Sequence, residues 1–226
     1  MFMPDNYAEN DIEIQKQHIR DTGLGTVIST TADGHYNANH IPFVLEERPD
    51  GKLFLLAHFH IKNDIGTELA NANETLIIFQ GRNGYVTPSW YPTKQETHKV
   101  APTWVYSTVH VYGKPRVIKD KDEIHKILEK LTNHFEAQSS KKKTWSVDEA
   151  PEAYLDMAKK FINGLEIEVT KMVGKFKMNQ SQPPKDLKGT IDGFKSRTND
   201  LYSLKLGETV AESSERYEAK KAAKAK

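Results

Sequence analysis

The spacing of turn signals through the first third of the chain constrains the fold more than any other feature. Residues 26–31 are rich in β-branched side chains and close at Ala32-Asp33-Gly34, so residues 36–45 read as the return strand of a hairpin. Pro49-Asp50-Gly51 turns the chain again into the apolar run Leu53–His60, and a short helix over 63–70 leads to a strand at 75–79. The early connections are too short for the helical crossovers that parallel neighbours need, so the strands pair antiparallel and a doubly wound parallel sheet is disfavoured.

The period changes on either side of this block. Ile12, Ile14 and Ile19 suit an irregular amphipathic helix over residues 8–20 that stops at Gly23 or Gly25. After Pro115, Ile124, Ile127, Leu128, Leu131 and Phe135 fall at helical spacing. A polar, basic linker over 138–143 follows, and Ser146-Val147-Asp148-Glu149 then reads as the capping box of a helix that runs through Tyr154, Met157 and Phe161 to Asn163-Gly164. Residues 165–173 alternate as a half-buried strand returning to the sheet, and a last helix follows Gln182-Pro183-Pro184. The expected class is α+β, with an antiparallel Greek-key or barrel-like sheet and peripheral helices. Residues 1–206 are expected to form a single domain with a C-terminal helical elaboration, and residues 207–226 a flexible tail.

Composition removes several function classes. With no cysteine, disulfides, thiolate metal sites, iron–sulfur clusters and a cysteine nucleophile are excluded, so redox chemistry has to come from a cofactor. The 32 basic and 31 acidic side chains give a net charge of +1, which supplies no global attraction for nucleic acid. The basic end of the chain reads as a solvated helical tail. No apolar run is long enough to span a bilayer and no secretory signal is visible, so an intracellular, cytoplasmic protein is expected.

The chemistry-bearing stretch is residues 85–113, with two of the three tryptophans, four of the nine tyrosines, three prolines and two histidines. It reads as the wall of a binding site. Over residues 103–112 the alternation places Trp104, Tyr106, Thr108, His110 and Tyr112 on one face and Val105, Ser107, Val109 and Val111 on the other, both expected to be covered. Gly23-Leu24-Gly25 precedes a strand and lacks the third glycine, so it is not a dinucleotide loop. His58 and His60 share a strand face, with His40 as a possible third metal ligand, but hydrogen bonding in a polar cleft is the better reading and no metal is expected. Basic and amide groups at residues 175–180 leave a sheet edge and could meet a phosphate, against the plain alternative of a solvated strand end.

The residues Tyr85-Val86-Thr87-Pro88-Ser89-Trp90-Tyr91, Ala101-Pro102-Thr103-Trp104-Val105-Tyr106 and Val109-His110-Val111-Tyr112-Gly113 closely resemble the signature of the PaiB-type FMN-binding negative transcriptional regulators. Met3-Pro4, His40-Ile41-Pro42-Phe43 and Lys177-Met178-Asn179-Gln180 follow in the same order. The resemblance implies a split β-barrel like that of pyridoxamine-phosphate oxidases, a homodimer, and FMN at the subunit interface. It places the isoalloxazine against Asn39, His40, Ile41 and Pro42 and the phosphate at His58, His60, Lys62 and Asn63. Ser89, Trp90, Thr103, Trp104 and Tyr106 are then candidates from the second subunit, with Lys177 and Gln180 as further cofactor contacts. The chain departs from the family pattern where an arginine is replaced by Ile61, with the charge at Lys62, where an asparagine is replaced by Val105, and where Asn179-Gln180-Ser181-Gln182 stands for Ser-Gln-Asn-Arg.

Three functions follow as expectations. The first is an FMN-binding protein with oxidoreductase activity on a small molecule. The second is a haem-binding or haem-degrading split barrel using His40, His58, His60, His98 or His110 as axial ligand. The third is transcriptional repression, for which the sequence offers no helix-turn-helix and no concentrated basic face, so direct DNA binding is doubtful.

Overall fold

The computed structural model describes residues 1–139, 144–197 and 200–224. The chain divides into two compact units, one made of Ile12–Phe79 and Val109–Met172, the other of Met1–Asp11, Gln80–Thr108 and Val173–Lys226. Three long strands run through both: β6 (Thr75–Val86), β7 (Thr103–Ile118) and β8 (Ile162–Lys177).

In the first unit α1 (Ile12–Thr22) is stopped by Gly23, whose φ of 64° suits glycine and whose N–H donates to Ile19 O at 2.9 Å. Residues 8–9, expected to be helical, form a short strand instead. β2 (Leu24–Thr30) and β3 (Tyr36–Pro42) make the expected hairpin, with Thr26 opposite His40 and Val27 opposite Asn39. The turn at Arg48–Gly51 joins β4 (Val44–Glu47) to β5 (Leu53–His60), and β5 pairs with β8 on its other side. After β5 comes α2 (Ile65–Ala70). All five strand pairings with a defined register are antiparallel, and the sheet order is β3-β2-β6-β7-β8-β5-β4 with β1 (Ala8–Glu9) paired to β8. The fold is thus the expected α+β split barrel, an antiparallel eight-stranded sheet that stays open, with peripheral helices.

α4 (Lys121–Ala137) starts where the Asp120 carboxylate accepts from the N–H groups of Asp122 and Glu123. Its stripe of Ile124, Ile127 and Leu131 is buried against Val44, Phe54, Leu56 and Ile118, with Leu128 and Phe135 at the margin. Each of these side chains contributes about 1.5–3 kcal/mol by leaving water.

The following helix is shorter and more broken than its periodicity implies. The Ser146 capping box opens only a 3-10 turn at Val147–Glu149, and Pro151 then caps α5 (Glu152–Ala158). Asn163-Gly164 lies inside β8, and Tyr154, Met157 and Phe161 are exposed instead of forming a buried stripe. The linker expected over 138–143 falls partly on residues 140–143, outside the described ones.

In the second unit α3 (Pro92–Thr97), α6 (Pro184–Lys195) and α7 (Leu201–Lys224) surround a core that includes Val86, Tyr91, Met178, Phe194, Leu206 and Val210. Residues 225–226 lie outside the described ones, and residues 207–224 of the region expected to be a flexible tail belong to helix α7. Its apolar content is low, but Val210 is buried, and the buried Glu9 carboxylate faces Lys220 Nζ at 2.6 Å and Arg216 Nε at 3.6 Å. Those ion pairs are tertiary and leave no local period to read. Among the described residues no helix is long and apolar enough to cross a membrane.

Candidate flavin site

The polar candidates of the first unit gather where β3 approaches the turn after β5. Alternation on β3 turns Asn39 and Ile41 inward and leaves His40 and Pro42 exposed. The Asn63 amide donates to Asn39 Oδ1 at 2.8 Å, while its own Oδ1 accepts from the Ile65 N–H at 3.1 Å. One side chain therefore ties β3 to the start of α2. His60 Nδ1 accepts the Lys62 N–H at 3.1 Å, which in a neutral ring puts the proton on Nε2 and makes that atom a donor. The ring is set by stacking on Phe161, with centroids 6.4 Å apart and planes 19° apart.

Lys62 is exposed and its ammonium forms no ion pair among the described residues. His58 is exposed by area, yet the protein around its ring disfavours the imidazolium and holds its pKa below the ordinary histidine value. A cation, an imidazole donor and the Asn63 amide at the turn, with the Asn39 amide on β3, form a donor set that fits a phosphate. His40 bonds Thr26 Oγ1 through Nδ1 at 3.0 Å, and it does not join His58 and His60 in a three-ligand group. His98, at φ 55°, caps α3 where a surface loop was expected, and half-buried His110 is held below its ordinary pKa by burial.

A cavity of about 480 Å³ elsewhere in this unit is lined by Ile28, Ser29, Thr67 and Glu68 among others, and by none of the expected site residues. The Glu68 carboxylate there accepts from Ser29 at 2.5 Å and from Asn37 at 3.1 Å. A carboxylate lining disfavours a phosphate, which the β3–β5 donor set suits better.

The aromatic candidates of the second unit behave in two ways. Trp90 packs on Gly193 so closely that any side chain there would overlap its ring, and it meets Phe194 edge-on at 5.0 Å with the Arg197 guanidinium at 5.0 Å. Tyr91 is buried, and its hydroxyl accepts from Asn179 at 2.9 Å. These two rings anchor α6. Trp104 instead remains 50% exposed and sits 6.3 Å from exposed Tyr85. Its indole N–H donates to Asn83 Oδ1 at 3.1 Å, and the Asn83 N–H donates to the Tyr202 hydroxyl at 2.6 Å. On β7 the face of Val105, Ser107, Val109 and Val111 is buried, but the Trp104 face is only partly covered.

Ser89 is exposed and receives Lys94 Nζ at 3.1 Å, while Thr103 receives Lys177 Nζ at 2.8 Å. Tyr106 is half-buried, with Lys175 Nζ 5.6 Å from its ring centre. Gln180 is buried and fully engaged: its amide donates to Asn6 O and Phe176 O, and its carbonyl accepts from the Met178 N–H. The structure thus joins Asn39 to Asn63 and Thr103 to Lys177. Sequence reasoning missed Asn83, Tyr202 and Phe161, whose partners lie far away along the chain and leave no local signal.

Residues 1–171 match the family model described as "Putative FMN-binding domain", and the chain belongs to that family. The uncharacterized protein AN0679 of Emericella nidulans is 34% identical over 232 residues, covering 88% of this chain and 92% of that one. The Bacillus subtilis protease synthase and sporulation protein PAI 2 is 26% identical over 199 residues, covering 88% and 91%, in line with the PaiB-type resemblance. Among solved structures, the FAD and haem binding protein of Mycobacterium smegmatis has a TM-score of 0.52 at 18% identity, covering 76% of this chain and 73% of that one. The conserved hypothetical protein Rv2991 of Mycobacterium tuberculosis has a TM-score of 0.54 at 11% identity, covering 81% and 94%. Such likeness concerns the fold alone.

Proposed function

We propose that this protein binds FMN as a homodimer and serves as an oxidoreductase on a small molecule. The observation that carries the reading is the donor set after β5, where the Lys62 side chain is exposed and its backbone N–H donates to His60 Nδ1, in a chain of the FMN-binding domain family. Lys62, His58, His60 and Asn63 hold the phosphate, and Asn63 keeps its place through Asn39 and Ile65. Backbone and side-chain groups from Asn39 to Pro42 line the ring system. Trp104 and Tyr106, with Ser89 and Thr103, are the contribution of a second copy; Trp90 supports them from beneath by holding α6.

FMN, when bound, supplies the electron-transfer chemistry that the side chains of a cysteine-free protein lack. The residues of this chain bind, orient and shield. His60 offers a ring N–H donor, and Lys62 offers an exposed ammonium. The haem reading is weaker at His60, whose Nδ1 accepts the Lys62 N–H, so that in a neutral ring Nε2 carries the proton and has no lone pair for iron. Titrating purified protein with FMN and with riboflavin tests the proposal. Lys62→Ala should weaken FMN about tenfold and leave riboflavin unchanged; an equal loss for both would refute the phosphate assignment.

A further inference from the structure

β8 carries a pair of cations that the flavin reading uses only in part. Its period of two puts Lys175 and Lys177 on one face. Lys175 is 8% exposed, and a lysine so buried is ordinarily matched by a carboxylate. Here, among the described residues, its ammonium meets only the Phe2 backbone carbonyl at 3.0 Å and the rings of Phe2 and Tyr106 at 5.7 and 5.6 Å. Lys177 donates to the neutral Thr103 hydroxyl and likewise forms no ion pair among the described residues. Two like charges side by side, with neutral acceptors only, leave a site short of negative charge.

The cover over Lys175 is the segment that leads into β1. β1 pairs with β8 so that Ala8 lies opposite Lys175, and the turn at Asp5–Tyr7, closed by Tyr7 N–H to Pro4 O at 2.9 Å, folds the chain back to bring Phe2 over the ammonium. Gln180 pins this turn through Asn6 O at 2.9 Å. Phe2 itself is 82% exposed, so lifting it uncovers little apolar surface. An anionic oxygen is a stronger acceptor for an ammonium than a peptide carbonyl.

We infer that Lys175 and Lys177 form an anion-binding site beside Tyr106, which takes the phosphate or carboxylate group of a small molecule in place of the Phe2 carbonyl. The site stands independently of the flavin reading. Two sources share this chemistry, the phosphate of FMN and a separate small anion.

Thermal unfolding of the full chain with inorganic phosphate, against chloride at equal ionic strength, tests it. Wild type should gain about 2–4 °C at ten times the phosphate Kd. Lys175→Met fills the same space without the charge and should lose that gain, whereas Lys114→Ala, at an exposed lysine of β7 outside both phosphate assignments, should keep it. Retention of the gain in Lys175→Met, or no preference of wild type for phosphate over chloride, would overturn the inference. Phe2→Ala should bind phosphate at least as well as wild type, and weaker binding would contradict displacement of that segment. In FMN-saturated protein, a persisting gain assigns the site to a separate anion and a vanished gain assigns it to the cofactor's phosphate.

Discussion

The aromatic run of residues 85–106 stands out in the sequence and the turn after β5 is singled out only by the family resemblance, and the two differ in what their side chains already touch. At the turn, hydrogen bonds among Asn39, Asn63, His60 and Lys62 fix the backbone and leave the Lys62 ammonium exposed. In the aromatic run, Trp90 and Tyr91 are consumed by packing on α6, and only Trp104, Tyr85 and part of Tyr106 face outward. Aromatic residues at high density therefore mark burial against a helix as readily as a ligand wall. Exposed donors on a fixed backbone are the more discriminating sign of a site.

The sharpest way to break this comparison is to exchange the roles of the two tryptophans. Trp90→Ala should cost about 3–5 kcal/mol in denaturant unfolding, because it empties the space over Gly193. Trp104→Ala should change stability by less than about 1 kcal/mol and instead weaken FMN binding. Equal destabilisation by both variants would erase the distinction between anchor and wall.

A medium effect separates structural charge from site charge. Burial alone pushes the Glu166 carboxyl up, but donation from Arg116 and Arg48 outweighs it and holds the pKa below the ordinary glutamate value. A folded-state pKa below the unfolded one means that this stabilisation is present above the unfolded value of about 4.3 and is lost as pH falls through the folded value. Glu166→Gln should cost about 2–3 kcal/mol at neutral pH, less than a fully buried pair because both arginines are partly exposed, and should flatten the acid limb of a stability–pH curve. An unchanged acid limb would show that other carboxylates dominate it.

The smallest effect concerns the site itself. Lys62→Ala should raise the FMN Kd about tenfold, while His98→Ala, at the exposed cap of α3, should leave it unchanged. Equal Kd values for the two variants would move the phosphate away from the turn after β5.

Much of the fold was legible because its signals are local. Gly34 and Gly51 take φ of 86° and 79° in the two turns read from the sequence, and the stripe of Ile124, Ile127 and Leu131 is buried as its spacing implied. What was missed depends on distant partners. β6 and β7 run past their expected ends because their ladders are backbone bonds, indifferent to polar side chains such as Gln80 and Asn83. α7 is held through Glu9, some 200 residues earlier in the chain. Residues 39–42 and 58–63 entered as candidates through the family resemblance, whereas the split between Trp90 and Trp104 was not legible at all, because it depends on Gly193 and Asn83.

FMN binding by this chain is tested most directly by a fluorescence-monitored titration of the purified protein with FMN alongside its visible spectrum. One FMN per subunit should bind saturably and show the double band of a flavin. A sharp Soret band, or flavin fluorescence that changes without saturation, would contradict FMN binding.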